Sequence, residues 1–226
     1  MSATISIPGF FEPFGSLLHL VTAGVVASLG TWLVRRGRGR GPRLAIAAFV
    51  IAATVLLALS GTYHLLDAGT PARAVLQRLD HAAIWTMIAA SFTAIHGVAF
   101  RGPWRWGFLA LVWGLAVPAL VLELVFFSSF PEVAALSLYL ALGWLGVVSA
   151  FALRQRYGWL GMRDLLAGGL AYSLGAVYDF ASGPALIPGI IGPHEVFHVA
   201  VVLGVGLHWR FVAQLAVTEP RTAGTG

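Results

Sequence analysis

The chain has 226 residues, 58% apolar and 10% charged, with a formal charge of +5 and no cysteine. Soluble domains carry roughly 25% charged residues, and the mean hydropathy here is +0.85, so the surface is built for lipid. Disulfides and thiolate metal sites are excluded, which leaves His, Asp, Glu, water or backbone to build any metal centre.

A hydrocarbon core of about 30 Å takes roughly 20 helical residues. Seven segments meet that demand, and the fold class expected is an all-α membrane protein, a seven-transmembrane helix bundle. In chain order the spans are Phe14–Val34, Leu44–Leu66, Asp80–Phe100, Trp104–Phe127, Val133–Leu153, Arg163–Ala181 and His194–Val217. Residues 1–217 form one domain, and the polar stretch from Thr218 to Gly226 reads as a loose tail. Met1 to Pro13 holds no Lys or Arg and shows no separate cleavable signal. The connections carry loop punctuation: Arg35–Arg43, Asp67–Leu79 with Gly69 and Pro71, Ser129–Glu132, and Ser182–Pro193. Gly143, Gly146, Gly168, Gly169, Gly175, Gly204 and Gly206 lie inside spans, where small residues let helices approach closely.

All fourteen basic residues are arginines, and they sort by side. The face shared by the N-terminus and the even-to-odd loops holds Arg73 and Arg78. The opposite face holds the other twelve: Arg35, Arg36, Arg38, Arg40, Arg43, Arg101, Arg105, Arg154, Arg156, Arg163, Arg210 and Arg221. The positive-inside rule then places the N-terminus outside and the C-terminus in the cytoplasm of a multi-pass protein of the cell (inner) membrane. The basic loop Arg35–Arg43 reads as a topology signal that touches anionic membrane lipids. It lacks the stacking aromatics of a nucleic-acid surface, so no nucleic-acid partner is expected.

Ionisable residues inside spans are costly and mark candidate sites. Ser60 and His64 lie four apart near the end of helix 2; Asp80 and His81 open helix 3; His194 and His198 lie four apart at the start of helix 7. Glu12 precedes helix 1, and His19 lies about two turns into it. Odd helices begin where even helices end, so all these positions fall at one depth. Two imidazoles at i and i+4 can share a metal from one helix face. His64 adds a third nitrogen and leaves a fourth position for water, the ligand pattern of catalytic zinc. Asp80 is placed to hydrogen-bond that water or a ligand imidazole, and Ser60 to bind a substrate oxygen or orient the water. Taken singly, each has an ordinary alternative: Asp80 as an N-cap, Ser60 as a back-bonding serine, and His19, His96 or His208 as interhelical hydrogen-bonders.

The set Ser60-x-x-x-His64, Leu79-Asp80-His81-Ala82-Ala83-Ile84 and His194-x-x-x-His198 resembles the signature of the hemolysin III family. That family is grouped with the progestin and adipoQ receptors and, more distantly, the alkaline ceramidases. Residues 168–175 (Gly-Gly-Leu-Ala-Tyr-Ser-Leu-Gly) and His208, ten residues after His198, add to the resemblance, which spans nearly the whole chain. It implies a seven-helix fold, zinc on His64, His194 and His198, and Asp80 and Ser60 in the same pocket. Hydrolysis of lipid amides or esters, reception of a ligand or membrane state with structural zinc, and a lytic pore or ion-coupled transport are the activities it implies, in that order. The family's first motif, Glu-x-x-Asn-x-x-x-His, reads Glu12-Pro-Phe-Gly15-Ser-Leu-Leu-His19 here, so Gly15 stands where the amide is expected. The resemblance also implies the opposite orientation, with the N-terminus and the site on the cytoplasmic side.

Overall fold

Lipid-facing helices need no polar outer face, so they reveal themselves by which apolar residues are covered rather than by which residues are apolar. The structure, a computed structural model, describes residues 11–218. Among these residues the regular elements are helices: α1 (Pro13–Arg36), α2 (Arg40–Leu65), α3 (Pro71–Ala99), α4 (Gly102–Phe126), α5 (Glu132–Trp144), α6 (Gly146–Phe180) and α7 (Pro193–Thr218). No strand occurs among them, only an isolated bridge between Ile187 and Ile191 in the α6–α7 loop. On α1, Leu17, Val21, Val25, Leu29 and Trp32 form an exposed stripe at helical spacing, while His19, Ala23, Val26, Gly30 and Leu33 face inward. The inner faces of α2, α3 and α7 meet around Phe49, Leu57, Ile95, Val205, Phe211 and Leu215.

Six stretches are long and apolar enough to cross a bilayer, one fewer than the sequence suggests, because residues 132–180 form a single run of 49 residues. α5 passes into α6 at Leu145 with almost no break, and one residue, Gly158 (φ 66°, ψ 174°), interrupts α6. A continuous helix would hold Trp144 and Ser173 about 43 Å apart. Yet the Trp144 indole N–H donates to the Ser173 hydroxyl at 3.0 Å. The chain therefore doubles back between them, and Gly158 has the left-handed φ that such a corner asks of a glycine.

Two boundaries differ from expectation in a way that bears on the site. α3 starts at Pro71, nine residues before Asp80, with the Thr70 side chain accepting from Arg73 N–H as N-cap. Asp80 is therefore an interior helical residue and not a cap. Hydropathy marked the start of the apolar run, whereas the Thr70–Pro71 pair starts the helix nine residues earlier. α2 likewise starts at Arg40, inside the expected loop. At the far end Thr218 closes α7; residues 219–226 and 1–10 lie outside the described residues, and with them the rest of the expected tail and most of the N-terminal segment read for a signal.

The glycines divide. Gly175 meets Ala200 across α6–α7, Gly168 meets His208, and Gly204 meets Tyr172, so these do serve close approach; Gly143, Gly169 and Gly206 face open space. Gly61, not singled out from the sequence, brings α2 against the α1 backbone, where a Cβ would stand 2.9 Å from Ser16 O.

Candidate metal centre

Two helix ends bring the three histidines together. His64 lies in the last turn of α2, and His194 and His198 lie in the first two turns of α7. One ligand nitrogen from each of His64, His194 and His198 lies within 4.8 Å of the other two, and no other group of three or more potential ligands gathers this way among the described residues. His64 and His198 are 4% and 2% exposed.

The partners of the rings determine which nitrogen each offers. His64 Nδ1–H donates to the Glu12 carboxylate, and His194 Nδ1–H donates to Asp179 Oδ2 at 2.8 Å. His19 Nε2–H donates to the His198 carbonyl at 3.2 Å, which leaves His19 Nδ1 to accept from His198 Nδ1–H at 3.3 Å. This tautomer set follows from the network, and it commits every Nδ1 of the trio to an outer partner. Each Nε2 then carries a lone pair. His64 Nε2 and His194 Nε2 face each other at 3.3 Å; two lone pairs at that distance repel, and either a proton on one ring or a cation bound between them relieves it. His198 Nε2 is buried with no hydrogen-bond partner. A buried orphan nitrogen beside two facing lone pairs is what a metal site looks like from its ligands.

Glu12 sits at the centre of the outer support. Its backbone N–H donates to His64 O at 3.1 Å, and Arg73 Nη2 donates to its Oε2 at 3.3 Å. Burial works to raise the Glu12 pKa, but the hydrogen bond from His64 and the charge of Arg73 outweigh it and hold the carboxyl below its ordinary value. Arg73 also donates to Leu66 O at 2.5 Å and Tyr63 O at 3.3 Å, tying down the C-terminal carbonyls of α2.

Ser60 and Asp80 are 4% and 7% exposed, and the Ser60 hydroxyl lies beside the Asp80 carboxylate. Both line one cavity with the three histidines, Glu12 and His19. The cavity holds about 680 Å³, draws its walls from all seven helices, and is apolar over most of its lining, with Ile84, Met87, Phe92 and Val201 among the contributors. His208 does not join the cluster. It lies ten residues, about 15 Å, along α7 from His198, where its Nε2–H donates to Leu165 O at 3.2 Å. His96 also bonds between helices, to Ser149 at 2.9 Å, and stacks between Phe100 and Phe108.

Asp179 and Arg73 are the parts that sequence reasoning missed. Asp179 lay outside the candidate set, and Arg73 read as a topology charge. For Asp179 the signal was present: the end of helix 6 and the start of helix 7 share a depth, so it lies level with His194.

Comparison with known proteins bears on the same residues. The family described as Haemolysin-III related matches residues 11–209. Hemolysin-3 of Bacillus cereus is 36% identical over 100 residues, 44% of this chain and 45% of that one. The Hemolysin-3 homolog of Bacillus subtilis (strain 168) is 29% identical over 104 residues, 46% of this chain and 48% of its own. This chain thus spans about half the length of those two relatives. Heptahelical transmembrane protein ADIPOR2 of Oryza sativa subsp. japonica is 34% identical over 190 residues, 76% of this chain and 82% of its own.

Proposed function

This chain belongs to the haemolysin-III-related family, and from that footing we propose that it holds zinc on His64, His194 and His198 and hydrolyses lipid amides or esters in membrane lipid homeostasis. The observation that carries the reading is the convergence of three Nε2 lone pairs on the wall of a large apolar cavity, with a buried carboxylate beside them. Tetrahedral zinc with nitrogens at 2.0–2.1 Å sets neighbouring nitrogens roughly 3.3 Å apart, the spacing found between His64 and His194. Zinc bound there supplies Lewis acidity and acidifies water.

The remaining work falls to the chain. Glu12, Asp179 and His19 hold the imidazoles in one tautomer and orientation. The apolar walls take an acyl chain and exclude bulk water from the reacting carbonyl. Asp80 takes the proton that water loses as its oxygen bonds the carbonyl carbon, then returns it to the departing amine or alcohol as the C–N or C–O bond breaks. Ser60, beside the Asp80 carboxylate, binds the substrate oxygen or orients the water.

A second reading, a non-enzymatic receptor or sensor of membrane state, draws on the placement of the ligands. They join α2 to α7, so a metal there also acts as a clip between the beginning and end of the bundle. Metal analysis of protein purified in mild detergent, beside His198→Ala, tests the centre: about one zinc per chain, lost in the variant, is expected. Cleavage of acyl amides or phospholipids by the wild type, abolished in Asp80→Asn, separates hydrolase from sensor. Zinc without any cleavage leaves the sensor; no metal in either protein refutes both.

We further propose that residues 132–180 cross the bilayer twice, which gives seven spans. The Trp144–Ser173 hydrogen bond and the Gly158 corner support it. With seven spans and the arginine-rich face in the cytoplasm of the inner membrane, the metal centre opens toward the outside. Arg73 adds little to the charge of the site face, because Glu12 neutralises it.

A further inference from the structure

A second buried carboxylate lines the cavity, and the reaction above makes no use of it. Glu123, on α4, is 2% exposed. The Trp85 indole N–H donates to its Oε2 at 2.6 Å, and the Tyr139 hydroxyl lies 2.6 Å from Oε2 and 2.8 Å from Oε1. His81 Nδ1 stands 3.5 Å from Oε1. Of these three partners only His81 can carry positive charge. It is too distant for a hydrogen bond, and its side chain is 38% exposed.

Two short neutral donors therefore hold a carboxylate that offers about four acceptor positions. An acid in a membrane span is expensive to keep, and a neutral acceptor would tie α3, α4 and α5 together as well. Glu123, His81 and Tyr139 all line the cavity that holds the three histidines. Asp80 and His81 are neighbours on α3, so the two polar walls diverge from adjacent residues of one helix. Asp80 meets Ser60 on the metal side, and His81 meets Glu123 and the Phe127 ring on the other. Around both, the lining is chiefly apolar.

We propose that Glu123 is the acceptor of a polar-head subsite, taking a hydrogen-bond-donating group, an ammonium or a hydroxyl, on the lipid whose chain fills the cavity. The inference rests on reading the cavity as a lipid site, and it depends neither on bound metal nor on turnover. Tyr139 and Trp85 orient the carboxylate, and the ligand supplies the donor that its remaining position lacks. An acceptor-only head cannot replace that donor, so the subsite selects by hydrogen count as well as by charge.

The test uses the full chain in zwitterionic nanodiscs and three probes of equal chain length: hexadecylamine, hexadecanol and 1-methoxyhexadecane. Apparent Kd is read from the shift in melting temperature. The wild type binds the amine and the alcohol about tenfold more tightly than the ether. Glu123→Gln keeps an acceptor for the alcohol and loses the preference for the amine. Tyr139→Phe removes a competing donor and tightens the amine, whereas a purely structural knot would lose stability and leave the order of probes unchanged. His198→Ala keeps the wild-type order, so a failed zinc or hydrolysis assay leaves this result standing. Equal binding of ether and alcohol by the wild type, or an unchanged amine preference in Glu123→Gln, overturns the proposal.

Discussion

Replacing Gly15 by alanine puts a methyl group 2.7 Å from Cδ2 and 2.9 Å from Nε2 of His198. Carbon contacts are comfortable at about 3.5–4.0 Å, so the ring or the α1 backbone has to yield by roughly 0.8 Å or more. Neither is free to move. The ring is 2% exposed and held by His19 at Nδ1, and the start of α1 is pinned to the end of α2 by Glu12 N–H to His64 O. Ligand positions in a metal site tolerate about 0.2 Å, so the displaced Nε2 leaves the reach of an ion held by His64 and His194. Disturbing ligand orientation typically costs 10–100-fold in metal affinity, or about 1.4–2.8 kcal/mol, and Gly15→Ala is expected in that range. Alanine favours the helix by about 0.8–1 kcal/mol, which offsets only part of an overpacking cost of about 1–3 kcal/mol, so the metal-free protein should melt slightly lower than wild type while the loss in zinc affinity is the larger effect. Gly24→Ala is the control, since nothing lies within 4 Å of its added methyl. Zinc affinity measured by chelator competition in detergent, beside metal-free melting, decides it. Gly15→Ala binding zinc within threefold of wild type would refute the argument that this glycine positions His198.

The outer partners should behave as a set: Glu12→Gln and Asp179→Asn each weaken zinc binding by about 10–100-fold, whereas His208→Ala leaves it unchanged in the same competition assay. Gly61→Ala forces α1 and α2 apart against backbone and should cost about 1–3 kcal/mol in detergent unfolding; Gly206→Ala, facing open space, should cost nothing. The absence of native cysteine makes single-cysteine labelling clean. Ala68→Cys should react with an impermeant maleimide in intact cells and Gly41→Cys only after permeabilisation, and the reverse pattern would invert the orientation proposed from the arginines.

The cluster of His64, His194 and His198 was legible because two kinds of spacing agreed. The i, i+4 pair fixed a helix face, and alternation of helix direction fixed a depth, so His64 met His194 without any knowledge of packing. Asp80 was placed in the right pocket by the wrong route. The drop in hydropathy at Arg73 and Arg78 looked like a loop, but a helix capped at Thr70 runs straight through it. Asp179 and Glu12 escaped assignment as ring partners because that assignment needs the direction of side chains, which depth alone does not give. The Glu123 knot draws on Trp85, Tyr139 and His81, residues of two other helices with no common spacing. Nothing short of the fold could have gathered them. The break between the fifth and sixth expected spans was misread for a local reason: Gly158 turns the chain within one residue, where a polar loop was expected between Leu153 and Arg163.

His64 and His194 are separated by 130 positions in the chain, and that interval has a consequence for biosynthesis. At roughly 5–20 residues per second, the ribosome delivers the second imidazole about 7–26 s after the first. Until α7 arrives, the inserted helices surround a cavity with one wall missing, and the outer partners Glu12 and Asp179 have no complete ligand set to orient. On the zinc reading proposed above, a nascent chain halted before α7 should therefore retain no metal. The last helix both supplies two of the three clustered imidazoles and closes the bundle around them.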